Sequence, residues 1–508
     1  MHDALFDPQL TALLLHQQRA QVQPAMQRLW DYYRNEVDLD PAGADAPHLA
    51  AQAKGLPPRL SRPTSLAGRS DTMPREIVIE NDIAWRVHTL VDFMFGKPVT
   101  IQSLADDPQL AQDIERILQT VFDANGGINF FQNAALLGSV YGFVDLLLRV
   151  DRLPPIQPSR QPSHEPDTPR DGSATGRSPD DRAPSETPHL DRALRHASNL
   201  LIETVEAPRA IPLLNPANYR LLDGYMLHYT QQLNRVEHAG FLRRLVGADG
   251  VARGQQATVD VTEQWTARHL RVYHGDRLAR SMPNPLGRLP LVHIQNLPQP
   301  FFYEGLSEVE PLIPLQDELN TRLSDRANRV TLQSFRMYLG KGIENFIERP
   351  IGPGQMWATN NPDAEVQAFG GDAPNPSEDE HIREIREAMD KTSTVTAVAA
   401  GLIRNKVGNL TSENALRIVM MGLLARTEKK RVTYGQAIAE LCDLVLQTLD
   451  LLGAFKTRPE DRRVRLHWPS PLPENTAQRL REARLKTELG VPRHRVLAEL
   501  GYPSNEQS

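Results

Sequence analysis

Residues 312–330 read Leu-Ile-Pro-Leu-Gln-Asp-Glu-Leu-Asn-Thr-Arg-Leu-Ser-Asp-Arg-Ala-Asn-Arg-Val. Leu312, Leu315, Leu319, Leu323, Ala327 and Val330 fall on one narrow stripe at helical spacing. Most of the remaining circumference is polar, with Asp317, Glu318, Asn320, Arg322, Asp325, Arg326, Asn328 and Arg329. Glu318–Arg322 and Asp325–Arg329 are i,i+4 pairs in the favourable acid-first order. A helix this polar is either exposed or packed against copies of itself through charge pairs. The pattern predicts a long helix over Glu308–Phe335.

Downstream, Arg336–Gly371 is rich in Gly and Pro and reads as β structure. Met356–Ala358 and Val366–Phe369 flank Asn360-Asn361-Pro362-Asp363, a turn signal that predicts a hairpin. Gln355, Trp357 and Phe369 are its candidate docking residues, the two aromatics serving either cross-strand packing or a docking surface. Glu378–Thr392 reads as a short, highly charged helix. Thr394–Leu410 is a loop of small residues in which Arg404 and Lys406, either side of Asn405, are the only charges. Those two cations either reach a partner or cap helix ends and pair with Glu413. Ser412–Leu452 reads as a very long helix that would span about 60 Å. Arg463–Trp468 reads as a strand, and the chain from Asn475 onward as two short helices hinged at Gly490-Val491-Pro492.

Upstream, Asp7–Glu36, Ile77–Phe95 and Pro108–Asp123 read as helices, with Val99–Ile101 a short strand. Gly126-Gly127 breaks the third helix. A further helix from Phe130 leads into a β-prone run within Tyr141–Val150. Arg152–His189 is dense in Pro, Ser, Asp and Arg and cannot bury enough apolar surface to offset ordering entropy, so it reads as a disordered insertion. Leu200–Val292 alternates in short β runs, such as Tyr219–Leu222, Met226–Tyr229 and Leu270–Tyr273. Gly240, Gly247, Gly250, Gly254 and Gly275 mark turns, which predicts an antiparallel region with hairpins.

Composition narrows the function class. The chain has 508 residues, 40 % hydrophobic and 24 % charged, with a formal net charge of −6. A general duplex-DNA binder is usually basic, so contact with nucleic acid would be local or transient. The single cysteine, Cys442, excludes an internal disulfide and reads as core packing. Met1–Leu15 lacks the basic n-region of a signal peptide. No stretch approaches a membrane span, and the expectation is a soluble protein made in a cytoplasm with no membrane contact. There is no phosphate loop, since Gly340-Lys341-Gly342 lacks the spacing. No HExxH or GxSxG occurs either. His381 sits in an acidic run, but its neighbours point in different directions on a helix, which favours a solvated helix start. No cofactor is expected.

Several ordered runs resemble the Gp6-like portal family of tailed bacteriophages. They are Leu289-Pro290-Leu291-Val292-His293-Ile294-Gln295-Asn296, then Gly305-Leu306-Ser307-Glu308-Val309-Glu310, then Leu312–Asn320. Asn81-Asp82-Ile83 through Val91-Asp92 to Gly96-Lys97-Pro98-Val99 fits as well. So do Thr411–Leu416 and the tail from Pro471-Leu472-Pro473-Glu474 to Leu500-Gly501-Tyr502.

The resemblance implies an α+β portal fold. Residues 1–307 would be a helical and β wing carrying the insertion 152–189. Residues 308–335 would be the first stem helix, 336–376 a β-containing clip and 377–393 the second stem helix. Residues 394–411 would be a tunnel loop, 412–453 a long central helix and 454–508 a helical crown. The implied subunit is structural and not an enzyme. It would form rings of twelve at one capsid vertex of a phage or prophage virion, a channel for DNA packaging and ejection. Arg404, Asn405 and Lys406 would face double-stranded DNA in transit. Gln355, Trp357 and Phe369 would dock the terminase large subunit and later the head–tail connector or adaptor proteins. Glu318, Arg322, Asp325 and Arg329 would make subunit contacts in the stem. Major capsid and scaffold proteins are the remaining implied partners. The rival classes are a multidomain cytoplasmic enzyme with an unrecognised site and another ring-forming head–tail connector.

Overall fold

The computed structural model describes residues 5–35, 78–152, 188–233, 257–334, 337–342, 361–369, 376–399, 417–472, 476–491, 493 and 496. Most of the 152–189 insertion, Gln355, Trp357, Arg404, Asn405 and Lys406 lie outside these residues, as do the turns at Gly240, Gly247, Gly250 and Gly254.

The elements follow in chain order. α1 (Pro8–Gln17) runs through a π turn, Gln18–Val22, into α2 (Gln23–Arg34). Next come α3 (Asp82–Phe95), β1 (Thr100–Ser103), α4 (Pro108–Ala124), α5 (Ile128–Tyr141) and β2 (Phe143–Leu148). α6 (Pro188–Ala197) precedes β3 (Ile202–Val205), β4 (Ala210–Asn215), β5 (Asn218–Leu233) and β6 (Ala257–Trp265). β7 (His269–His274), β8 (Arg277–Pro283) and β9 (Leu291–Gln295) complete that region. α7 (Ile313–Ser334), β10 (Met337–Lys341), β11 (Glu365–Phe369) and α8 (Pro376–Ser393) follow. The chain then forms α9 (Met421–Leu451), β12 (Val464–His467) and α10 (Thr476–Glu488).

The chain divides into two compact units. The first holds residues 1–26, 87–307 and 401–508. Its centre is the antiparallel sheet β3-β2-β9. Every residue of β2 is buried, which is why Phe143–Leu148 reads as a nearly continuous apolar run; a strand covered on both faces loses its alternation. α5 packs on β2 and α9 on β9. Leu441, Cys442, Val445, Leu446 and Leu449 of α9 are all fully buried. Burial pushes the Cys442 thiol up, as expected of a cysteine serving as a small apolar group.

Beside this core the strands β4 to β8 form an antiparallel meander in sequence order. Tyr219–Leu222 and Met226–Tyr229, read above as separate runs, belong to the single strand β5. Gly275, with φ +57°, turns β7 into β8. α4 starts on its Asp107 cap, which accepts from Gln109 N at 3.0 Å. It stops at Asn125, whose amide donates to the Val121 and Leu200 carbonyls at 2.8 Å each. Such side-chain bonds satisfy carbonyls that a helix end leaves orphaned.

The second unit holds residues 27–86 and 308–400. α7 and α8 pack together within it, and β10 pairs antiparallel with β11, Tyr338 opposite Ala368. The partner of Val366–Phe369 is thus Met337–Gly340; the Met356–Ala358 side of the expected hairpin lies outside the described residues.

Four boundaries need correction. The helix expected from Ile77 begins at Asp82, because the backbone of residues 78–82 bonds to side chains of α7 and Asn81 caps the helix, accepting from Ala84 N at 3.0 Å. The Glu308 helix starts as a single 3-10 turn, Glu310–Leu312, before α7. The helix expected from Ser412 is interrupted at Met420, so α9 has 31 residues and spans about 46 Å. Finally, Pro188 and His189 belong to α6, not to the insertion.

Candidate functional site

The polar helix that opened the sequence reading has three distinct faces. Leu312, Leu319 and Leu323 are buried. A second face, Gln316, Asn320 and Ser324 at i, i+4 and i+8, is buried too, at 1 %, 2 % and 0 % exposure. These side chains serve the extended residues 78–82. Gln316 Oε1 accepts from Asp82 N at 3.1 Å, and its amide donates to the Glu80 carbonyl at 2.6 Å. Asn320 Oδ1 accepts from Glu80 N at 3.1 Å. Ser324 Oγ accepts from Val78 N at 3.0 Å and donates to its carbonyl at 3.2 Å. The helix therefore supplies the ladder that a neighbouring strand would otherwise give this backbone, and so avoids the cost that unmet buried polar groups would carry. This face was missed in sequence. Its signal was the amide and hydroxyl spacing beside the leucine stripe, one residue after Leu315, Leu319 and Leu323.

The third face carries the four candidate contact residues. Glu318 accepts from Arg322 Nε at 2.7 Å, as the spacing predicts. That bond holds the Glu318 carboxyl below the ordinary carboxylate range. Asp325 pairs back to Arg322 at 3.2 Å, and Arg329 instead reaches Glu378 on α8. The expected Asp325–Arg329 pair does not form: Arg322 is one helical turn from Asp325, and Glu378 gives Arg329 an acid in the first turn of α8. Arg326–Asp379 at 3.1 Å and His381–Glu318 at 3.4 Å add further ties between the two helices. The Arg326–Asp379 and His381–Glu318 pairs are exposed, and each contributes little alone. His381 is thus a member of the ion-pair ladder. Among the described residues no group of His, Cys, Asp and Glu is arranged to hold a metal.

The same unit holds a more deeply buried set. Arg86, 2 % exposed, donates to Asp390 at 2.6 Å and to the Asp82 carbonyl at 2.6 Å, stacked over Trp85 at 4.2 Å. Tyr32 donates to Asp317 at 2.8 Å. Burial pushes the Asp317 carboxyl up to about 6, against the pull of Tyr32 and Arg28.

The first unit holds two buried polar clusters. Arg149 meets Asp151 at 3.0 Å, Glu203 at 3.0 Å and Glu263 at 2.9 Å. Burial opposes its charge, and Glu263 and Asp151 outweigh that, so the guanidinium ends above its usual range. Glu263 also accepts from Trp265 Nε1 at 3.1 Å and Tyr229 OH at 3.0 Å. The cluster ties sheet β3-β2-β9 to the meander. In the other, Asp145, 0 % exposed, accepts from Tyr225 OH at 2.6 Å and Tyr303 OH at 2.9 Å and meets His293 Nδ1 at 2.7 Å.

Ser139 and Lys430 sit at 2.8 Å, a spacing suited to a nucleophile and base, but both are 0 % exposed. In this enclosure the pair satisfies a buried ammonium rather than meeting a substrate. Among the described residues no helix is long and apolar enough to cross a membrane.

Phe369 lies on β11. The structure brings Glu318, Arg322 and Asp325 together and sets Arg329 against α8.

The family described as phage portal protein, SPP1 Gp6-like, matches residues 236–506. The chain belongs to that portal family. No curated protein matches it. Solved structures of gene transfer agent particles are similar at 11 % identity. In the neck of the empty particle computed with C6 symmetry, the match covers 84 % of this chain and 91 % of that one, with a TM-score of 0.43. In the neck of the native particle computed with C12 symmetry, it covers 83 % and 89 %, with a TM-score of 0.40. In the virion of the native particle the coverage is 83 % and 89 % and the TM-score 0.40.

Proposed function

We propose that this chain is the structural subunit of a homo-oligomeric portal ring at one capsid vertex, a channel for DNA during packaging and ejection. The observation that carries the reading is the family match combined with the order α7, β10–β11, α8: two charged, mutually packed helices bracketing a small antiparallel sheet.

In this reading residues 1–307 are the wing, 308–335 and 377–393 the stem helices and 336–376 the clip. Residues 394–411 are the tunnel loop, 412–453 the long central helix and 454–508 the crown. Gln355, Trp357 and Phe369 dock the terminase large subunit and then the connector. Glu318, Arg322, Asp325 and Arg329, which already pair within one chain, lie at the subunit contact, where a second copy can share a charge network. Arg404, Asn405 and Lys406 meet phosphates without sequence preference. The net charge of −6 suits passage, since a strongly basic channel would hold DNA through counterion release.

Native mass spectrometry and negative-stain imaging of the purified chain test the reading. Closed rings with a central hole are expected. Monomers at every concentration and salt would overturn it.

A further inference from the structure

The first unit carries two unlike patches whose chemistry is complementary. One is the segment after β9, Pro300-Phe301-Phe302-Tyr303-Glu304. Phe301 is 80 % exposed and Phe302 54 %. Phe301 also takes φ +70°, a left-handed conformation that a bulky side chain rarely adopts and that persists only where the surroundings fix it. Here the bracing comes from below. Gln295, the last residue of β9, donates to the carbonyls of Phe302 at 2.9 Å and Tyr303 at 3.1 Å. The Tyr303 phenol donates to the buried Asp145 at 2.9 Å, and Leu306 N donates to the Leu297 carbonyl at 3.0 Å. Two aromatic rings are thus held outward on a fixed backbone. Exposed apolar rings add nothing to the stability of a single chain, whereas rigid aromatic anchors carry much of the energy of protein contacts.

The other patch is a cleft of about 790 Å³ beside the meander. Leu5, Phe6 and Leu222 give it an apolar part, and Arg268 and Arg271 give it cations. Asp223 lines it too, but its carboxylate already accepts from Asn215 at 2.9 Å. Arg268 and Glu304 are both exposed, and among the described residues neither has an ion-pair partner.

Neither phenylalanine lines the cleft of its own chain. Gly287, which does line it, stands just ahead of β9, while Phe302 is tied to the far end of that strand, about 16 Å along it.

We propose that the Phe301–Phe302 tip of one copy of this chain seats in the Leu5–Phe6–Leu222 cleft of a second copy, with Glu304 meeting Arg268. A knob and a socket at different places on one surface make a head-to-tail contact, the kind that closes into a ring. The inference rests on the ring reading and deepens it by naming a contact between neighbouring first units. Two aromatic side chains bury about 300–500 Å², less than the roughly 1,200 Å² of a stable interface. The tip is therefore an anchor within a larger contact.

Cross-linking of the full-length chain tests it. Gln299→Cys with His269→Cys places one thiol beside each patch and leaves the anchors in place, while the native Cys442 is buried. A short bis-maleimide should turn this double variant into a series of dimers, trimers and higher products on a denaturing gel, because each copy offers one knob and one socket. Each single variant should stay monomeric on that gel. Rings by native mass spectrometry without the cross-linked series overturn this contact and leave the ring reading standing; monomers in parent and variant alike overturn both. Dimers from a single variant show like patches meeting and overturn the knob and socket. Arg268→Glu and Glu304→Arg should each raise the concentration needed for assembly by about tenfold, and together recover most of it. Additive losses in the combined variant overturn the Glu304–Arg268 pairing.

Discussion

Gly142 and Gly305 meet backbone to backbone: a Cβ on Gly305 would stand 2.5 Å from the Gly142 carbonyl oxygen, and one on Gly142 2.3 Å from the Gly305 oxygen. Gly142 also takes φ +92°, closing α5 in the left-handed region, where a side chain is strained. The contact explains the glycine in the Gly305-Leu306-Ser307 run. Neither backbone can yield cheaply, so Gly305→Ala should destabilise the first unit by about 1–3 kcal/mol. Thermal unfolding should shift down by several degrees, and an unchanged Tm would refute the tight approach.

Arg149 is the cation for three carboxylates, with its side chain 7 % exposed. Arg149→Ala leaves Asp151 and Glu263 buried without it, a loss of about 3–5 kcal/mol. Arg149→Lys should recover only part of this, because a point charge does not reproduce the forked contacts. Denaturant titration measures both. A loss in the alanine variant within the error of the titration would show that the cluster is solvated.

Asp317 gives a pH signature. Its carboxyl is raised by burial to about 6 from 3.8, so in the folded chain it takes up a proton before the unfolded chain does. Stability from this group therefore grows as pH falls from about 6 to about 4 and is lost as pH rises through 6. Asp317→Asn should remove that component and be more stable than the parent above pH 6, with Tm differing by a few degrees. Parallel Tm curves for variant and parent between pH 4 and 8 would contradict this.

Trp357→Ala tests the proposed clip. Rings should form normally, while affinity for the packaging motor falls by about 2 kcal/mol, roughly thirtyfold. If rings themselves fail to assemble, the side chain belongs to the subunit contact instead.

The proposed tunnel loop is tested by Arg404→Ser with Lys406→Ser. Rings should remain intact, and DNA retention should drop and depend less on salt, because two phosphate-seeking cations per subunit are gone. Unchanged packaged length and retention would return these side chains to helix capping or to Glu413.

Much was legible in the residues themselves. The helices α4 and α8, strand β2 and the antiparallel β region follow from local spacing, caps and glycine positions, because 3.6- and 2-residue periods are set by backbone geometry within a few neighbours. The order of short motifs likewise pointed to the portal family, which the match over residues 236–506 establishes.

What tertiary structure alone decided is where polar side chains spend their bonds. Gln316, Asn320 and Ser324 serve a backbone more than 230 residues away in sequence. Arg329 chose Glu378 over Asp325 because α8 brings that acid to it. Val366–Phe369 paired with Met337–Gly340 across the intervening chain. His293 and Gly305 stood in recognised runs, but their tasks, bracing a buried carboxylate and admitting a second backbone, come from β2 and α5. Hydrogen bonds and close approaches between distant segments depend on which surfaces the fold brings within about 3 Å, and periodicity along one segment carries no record of that.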